Sequence, residues 1–274
     1  MMRSKRNGDR MKFKDILYEK RDGIAIATFN RPDSLNAFRN QTLVEFEQIL
    51  KDVRQDNDLH VLILTGKGRA FSAGRDLKDL AFLYEAASSS DKLRQEVQLL
   101  ANITKQLTQI PKVVIAAING VAVGIGVEFA LACDIRMASK QAIFGFPEVK
   151  RALFVTNGVM YFLPKLVGLG RAKDWLLTGE KISAQEALEA GLITDVLPTD
   201  QLMESVLDKS RIIAANAPRS IRLTKEAFQQ TNEMDLDSVL KLEENSVVAC
   251  HAGQDFVEGA RAFIEKRDPV YKDK

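Results

Sequence analysis

Ile118-Asn-Gly-Val-Ala-Val-Gly-Ile-Gly-Val-Glu-Phe-Ala-Leu-Ala-Cys-Asp134 reads as the end of a buried strand, a glycine turn and the start of a helix. The apolar run 113–118 supplies the strand, and Gly120, Gly124 and Gly126 interrupt it. Leu131 and Ile135, four apart, predict a helix over about 127–137. Such a junction presents backbone N–H groups at the positive end of a helix dipole. It suits a phosphate, a carboxylate or a carbonyl oxygen gaining negative charge. Glu128 falls one turn inside the helix. It is either a surface carboxylate favoured by the dipole or an acid beside an oxyanion site. The glycines fit neither G-x-G-x-x-G nor a P-loop, and tight packing is the competing explanation for them.

A second stretch, Phe144-Gly-Phe-Pro-Glu148, weighs against packing alone. A short strand over 142–144 ends in Gly-Phe-Pro and delivers Glu148 among apolar neighbours. A single Glu is most often a solvated residue. Two of them, each at the end of an element and flanked by apolar residues, can form an acid/base pair.

The 274 residues suit one domain, or one domain with a helical appendage, and at 46% hydrophobic they can bury a sizeable core. A net charge of +2 argues against a dedicated nucleic-acid binder. Cys133 and Cys250 show no ligand spacing and fit a reducing, cytoplasmic compartment. His60 and His251 lack any accompanying ligand pattern, so no metal site is expected. No apolar run reaches the roughly 18 residues of a membrane span. Residues 1–11 are basic without an apolar centre. They read as a disordered extension rather than a secretory signal, with Met11 an alternative start.

Along the chain, 24–29 reads as a strand bounded by turn residues. Leu43, Phe46, Leu50 and Val53 predict a helix over 40–54 with one buried face. The apolar run 61–64 is a strand covered on both faces. Apolar spacing predicts a long amphipathic helix over 91–110. The segment 79–90, with Ala86-Ala-Ser-Ser-Ser90, is either a surface connection or a flap. Ser183-Ala-Gln-Glu186 is a capping box whose helix Gly191 closes. A strand follows at 195–197, then helices alone at about 200–215, 218–230, 236–250 and 254–266. The fold class is therefore α/β, with a core over 12–199 and a helical region over 200–274.

Several stretches together resemble the enoyl-CoA hydratase/isomerase, or crotonase, family. They are Asn30-Arg-Pro-Asp-Ser-Leu-Asn-Ala37, Ala70-Phe-Ser-Ala-Gly-Arg-Asp-Leu77, the 119–134 stretch, Phe144-Gly-Phe-Pro-Glu148, Leu176-Leu-Thr-Gly179, Ala187-Leu-Glu-Ala-Gly-Leu192 and Phe263-Ile-Glu-Lys-Arg267. Their order and spacing carry the resemblance, which spans about 24–266. It implies a spiral of ββα turns that binds and processes an acyl-CoA thioester. It also implies a C-terminal helical region that builds a homotrimer, often a dimer of trimers. No cofactor is implied beyond the coenzyme A of the substrate.

By the same resemblance, Glu128 and Glu148 are catalytic, and the N–H groups of Arg75 and Ile125 form an oxyanion hole. Arg75 stands where a small residue is usual, and Ile125 where a glycine is. Arg75 either reshapes the acyl pocket or points to solvent. Leu35, Ala37, Ala73 and Asp76 are the implied CoA contacts, and Phe263 and Lys266 are expected to reach a neighbouring subunit's CoA. Thr156 occupies a position that is often glycine in hydratases and acidic in dienoyl-CoA isomerases. Two retained glutamates favour a hydratase. The alternative is a Δ3-Δ2 isomerase using Glu148 alone. A third reading is a non-catalytic or RNA-binding member of the fold, against which the balanced charge and the retained glutamates speak.

Overall fold

The computed structural model describes residues 13–76, 78, 90–231 and 234–273. The expected extension at 1–11 and nearly all of the segment 79–90 lie outside the described residues. Two sheets organise the core. The six-stranded sheet has the order β1(Ile16–Arg21), β2(Ile24–Phe29), β3(Val61–Gly66), β5(Val113–Ile118), β7(Ile135–Ser139), β10(Asp195–Leu197). The four-stranded sheet has the order β4(Ala70–Ser72), β6(Val121–Val123), β8(Ile143–Gly145), β9(Lys181–Ser183). From β3 to β8 successive strands alternate between the sheets, and neighbours within each sheet run parallel. Helices α1(Asn40–Gln55), α2(Ser90–Gln109) and α3(Ile125–Leu131) follow β2, β4 and β6. One strand to each sheet and then a helix is the ββα turn, repeated.

Side-chain alternation explains why both faces of the large sheet are covered. Ala25, Ala27, Leu62, Leu64, Val114, Ala116 and Ile118 point into the main core. Their neighbours Ile24, Ile26, Val61, Ile63, Val113 and Ile115 form a second apolar layer. Onto that layer pack Leu202 and Val206 of α7(Leu202–Ala214). The helical region beyond residue 200 thus begins as a cover for the sheet. The chain continues through α8(Pro218–Gln230), α9(Leu236–His251) and α10(Gln254–Glu265).

The helix expected over 127–137 is shorter, and Ile135 belongs to a strand. Asp134 explains the stop. Its N–H donates to Val114 O at 2.9 Å and its carboxylate accepts from Val114 N at 2.7 Å. That double bond pulls the chain onto β5, so Ile135 starts β7, parallel to it. Two helices escaped the sequence reading, α4(Val159–Val167) and α5(Leu169–Thr178). Pro164 inside α4, and glycines at 158, 168 and 179 around the pair, imitate loop punctuation. The capping box at Ser183 forms as expected and starts α6(Ala184–Glu189).

Candidate active site

Five phenylalanines hold α3 in place. Phe129 packs edge-on against Phe38 and Phe46, with centroids 5.4 and 5.7 Å away, and Phe29 meets Phe38, Phe46 and Phe71. With Phe129 anchored in the core, Glu128 is carried beside it, and its side chain is also buried, at 1% exposure.

The two glycine turns meet. Gly74 has φ +89°, and a Cβ there would lie 3.0 Å from Val123 O and 3.7 Å from Ile125 N. The main chain entering Arg75 is therefore pressed against the start of α3. Ile125 is the first residue of that helix, and N–H groups in the first turn have no acceptor within their own helix. Its side chain is buried in the core cluster. Gly126 and Gly120 serve packing: a Cβ at either would meet backbone oxygens of Ser72 or Arg69 at under 3 Å.

Glu148 arrives on a 3-10 turn, Pro147–Arg151, after β8. A Cβ on Gly124 would lie 3.1 Å from Glu148 Oε1, so Glu148 sits directly over the start of α3. Its Oε2 is buried and, among the described residues, has no hydrogen-bond partner. Burial, and then the neighbouring Glu128, push the Glu148 carboxyl up to about 7. Burial also raises Glu128, opposed by hydrogen bonds from Thr156 and Asn157. Thr156 N donates to Oε1 at 3.2 Å, while Thr156 Oγ1 and Asn157 Nδ2 donate to Oε2 at 2.7 and 2.8 Å.

Arg75 does not project into solvent. Its guanidinium bonds Glu96 Oε1 at 2.6 Å, Phe38 O at 2.9 Å and Asn40 Oδ1 at 2.6 Å. It clamps α2 and the start of α1 to the turn. The segments at Leu35, Ala37, Ala73 and Asp76 also come together. Ala73 N donates to Leu35 O at 2.9 Å, Asp76 N to Phe38 O at 2.9 Å, and Arg31 pairs with the Asp76 carboxylate at 2.8 Å. Leu35 and Ala37 donate their N–H groups to Pro32 O and Ser34 O. The N–H groups at these four positions are thus all engaged within the protein.

Phe263 and Lys266 are exposed on α10 and its C-cap, and no described bond ties either to these segments. The sequence reading missed Asn157 as a partner of Glu128 and Glu96 as a partner of Arg75. A polar Thr-Asn pair in a turn otherwise flanked by apolar residues was the available signal for the first.

Among the described residues no group of three acidic, His or Cys side chains is placed to hold a metal ion, and no helix is long and apolar enough to cross a membrane. The profile of the Enoyl-CoA hydratase/isomerase family matches residues 19–274. The chain belongs to that family.

Its relatives span nearly its whole length. The short-chain-enoyl-CoA hydratase of Clostridium acetobutylicum is 34% identical over 94% of this chain and 97% of its own. The 2,3-dehydroadipyl-CoA hydratase of Escherichia coli is 33% identical over 94% and 98%. Among solved structures, an enoyl-CoA hydratase from Bacillus anthracis superposes with a TM-score of 0.91. It is 36% identical, over 95% of this chain and 100% of that one. The expected ββα spiral is thus the fold of the family.

Proposed function

We propose that this member of the family is an enoyl-CoA hydratase that adds water across the 2,3 double bond of an enoyl-CoA thioester. The observation that carries the reading is a pair of carboxylates in electrostatic contact beside the start of α3, Glu128 buried and Glu148 half-buried with its Oε2 enclosed. The relatives' names point the same way.

The thioester oxygen is held by the N–H groups of Arg75 and Ile125, and each such donor contributes on the order of 3 kcal/mol as the oxygen gains charge. Glu128, held by three donors, carries the negative charge and takes a proton from water. The water oxygen bonds to C3, and the double-bond electrons move through C2 to the thioester oxygen. Glu148, whose carboxyl is raised to about 7, is protonated over much of the neutral range and gives its proton to C2 as the enolate collapses. Coenzyme A belongs to the substrate. The segments at Leu35, Ala37, Ala73 and Asp76, which the structure brings together, line its approach. Phe263 and Lys266 serve a neighbouring subunit's site in a homotrimer or dimer of trimers. Residues 12–199 then form the catalytic core and 200–274 the region that assembles it.

An isomerase would need only Glu148. The elaborate support given to Glu128 favours hydration. The test is a turnover screen over short, long, branched and dicarboxylic 2-enoyl-CoA and 3-enoyl-CoA esters, with product identification. Formation of 3-hydroxyacyl-CoA is expected. Conversion of 3-enoyl to 2-enoyl esters without hydration would replace the reading with the isomerase.

A further inference from the structure

The turn Phe154-Val-Thr-Asn-Gly158 leads into α4 and closes through Val159 N donating to Thr156 O at 3.1 Å. Asn157 has φ +51°, a left-handed conformation that Asn adopts more readily than most residues. This conformation brings three consecutive donors, the Thr156 N–H, the Thr156 hydroxyl and the Asn157 amide, onto one carboxylate. Asn157 is 5% exposed, and its Oδ1 accepts from Thr104 Oγ1 of α2 at 3.3 Å, which orients the amide so that Nδ2 faces Glu128.

A carboxylate has about four lone-pair directions. Two donors converge on Oε2 and one on Oε1, so the remaining direction is on Oε1. On the neighbouring Glu148, Oε2 is buried and has no hydrogen-bond partner among the described residues. All three partners donate to Glu128 as placed, and each donated bond favours its ionised form.

We infer that Thr156 is a positioning residue for the hydration step: its hydroxyl holds Glu128 Oε2, keeps the charge of the carboxylate pair on Glu128, and leaves Oε1 as the atom that receives the proton of water. The inference rests on the hydratase reading for the step it serves, and on hydrogen-bond geometry for the placement of charge.

Among the described residues few other charges face the pair. Arg151, on the turn of Glu148, lowers that group. The strands packed on α3, β4 and β6, carry no titratable side chain. On α4 the titratable groups are Tyr161 and Lys165, whose ammonium lies 3.4 Å from the centre of the Tyr161 ring. On α2 the group bonded into the network is the neutral Thr104. The protonation of Glu128 is therefore set by its burial, which raises its carboxyl, and by the donors of the 156–157 turn, which lower it.

Thr156→Val keeps the branched shape and the N–H donor but removes the hydroxyl, and Thr156→Ser restores it. The test titrates glutamate carboxyl carbons by NMR in protein labelled with carbon-13 at that position, with Glu128→Gln and Glu148→Gln giving the assignments. In Thr156→Val the Glu128 midpoint should move up by about half a pH unit or more, the size expected for one lost hydrogen bond to a charged group. In Thr156→Ser it should return to within about 0.2 of the parent. In the same variants, kcat for hydration should fall about tenfold or more in Val and recover in Ser, with KM within about twofold. If the Val variant does not fold, Thr156→Ala and Thr156→Ser make the same comparison. An unmoved Glu128 midpoint in Val or Ala, or a Ser variant that behaves like Val, overturns the inference while leaving hydration intact. A parent protein with the expected titration but no hydration of any enoyl-CoA overturns the hydratase reading instead, and the placement of charge stands.

Discussion

Gly74 and Gly124 stand against one another, with a Cβ on Gly74 falling 3.6 Å from Gly124 Cα. Both have positive φ, and Gly124, at φ 53° and ψ −135°, lies where side chains are strained. Gly124→Ala should cost about 1–3 kcal/mol in stability from backbone strain. Its new methyl would also crowd Glu148 Oε1, which lies 3.1 Å from the methyl position. Turnover should fall at least about tenfold, more than the stability loss explains. Unfolding by urea and steady-state kinetics on the same preparation check both parts, and full activity in a destabilised variant would contradict the contact.

How Glu148 is buried sets a pH dependence with a definite sign. Its carboxyl moves from an ordinary 4.5 to about 7 in the folded chain. The folded state thus holds a proton that the unfolded state has released between those values. The stability this supplies is fully present below about 4.5 and is lost as pH rises to about 7. Glu148→Gln should therefore melt higher than the parent at pH 8 and at the same temperature at pH 4. As a proton donor, Glu148 should also make kcat/KM fall as pH rises through about 7. Thermal melts at the two pH values and a pH–rate profile are the measurements.

Much of this arrangement was legible in the chain itself. The strand–glycine–helix junction at 118–134 and the Gly-Phe-Pro-Glu stretch marked the pair, because each leaves a carboxylate among apolar residues at the end of an element. The capping box of Ser183 was legible because it is a purely local bond. What escaped depends on contacts distant in sequence. Ile135 looks helical until Asp134 is seen bonded to Val114, 20 residues away. Arg75 reads equally as a pocket residue or a solvated cation until Glu96 approaches from α2. The support of Glu128 by Asn157 spans 29 residues, and no spacing rule reports it.

Arg75 and Glu96 form a largely buried pair at 2.6 Å, with side chains 9% and 12% exposed. Arg75→Met should destabilise the fold by about 3 kcal/mol, because Glu96 keeps its charge without its cation. Adding Glu96→Gln should recover part of that loss. A double-mutant cycle by urea unfolding measures the coupling, and strict additivity would contradict a working ion pair.

Ile125 is the first residue of α3, a position that accepts proline, and Gly124 before it has no Cβ to meet the ring. Ile125→Pro should fold and lose 10²–10³ in kcat, roughly the effect of deleting one oxyanion donor. Ile125→Val keeps the N–H and most of the buried volume, so it should stay within about tenfold of the parent. Circular dichroism and CoA affinity establish that the proline variant is folded. Near-normal turnover by that variant would remove Ile125 from the oxyanion hole.

Leu236, Leu240, Val247 and Val248 of α9 and Phe263 and Ile264 of α10 are each more than half exposed. An apolar surface of this kind calls for a partner, and here a second copy of the chain is the expected one. The intact protein should sediment as a trimer or hexamer, and Leu240→Glu with Val247→Glu should give monomers of low activity. A parent that sediments as a monomer would contradict the assembly.

The most direct measurement compares Glu128→Gln and Glu148→Gln on one short 2-enoyl-CoA ester, followed by appearance of the 3-hydroxyacyl product. The account predicts that each variant loses about 10³-fold or more in kcat while binding CoA nearly as the parent does. A Glu128→Gln enzyme that still hydrates at near-parent rate, with only Glu148→Gln inactive, would show that one carboxylate suffices and would contradict the two-carboxylate mechanism.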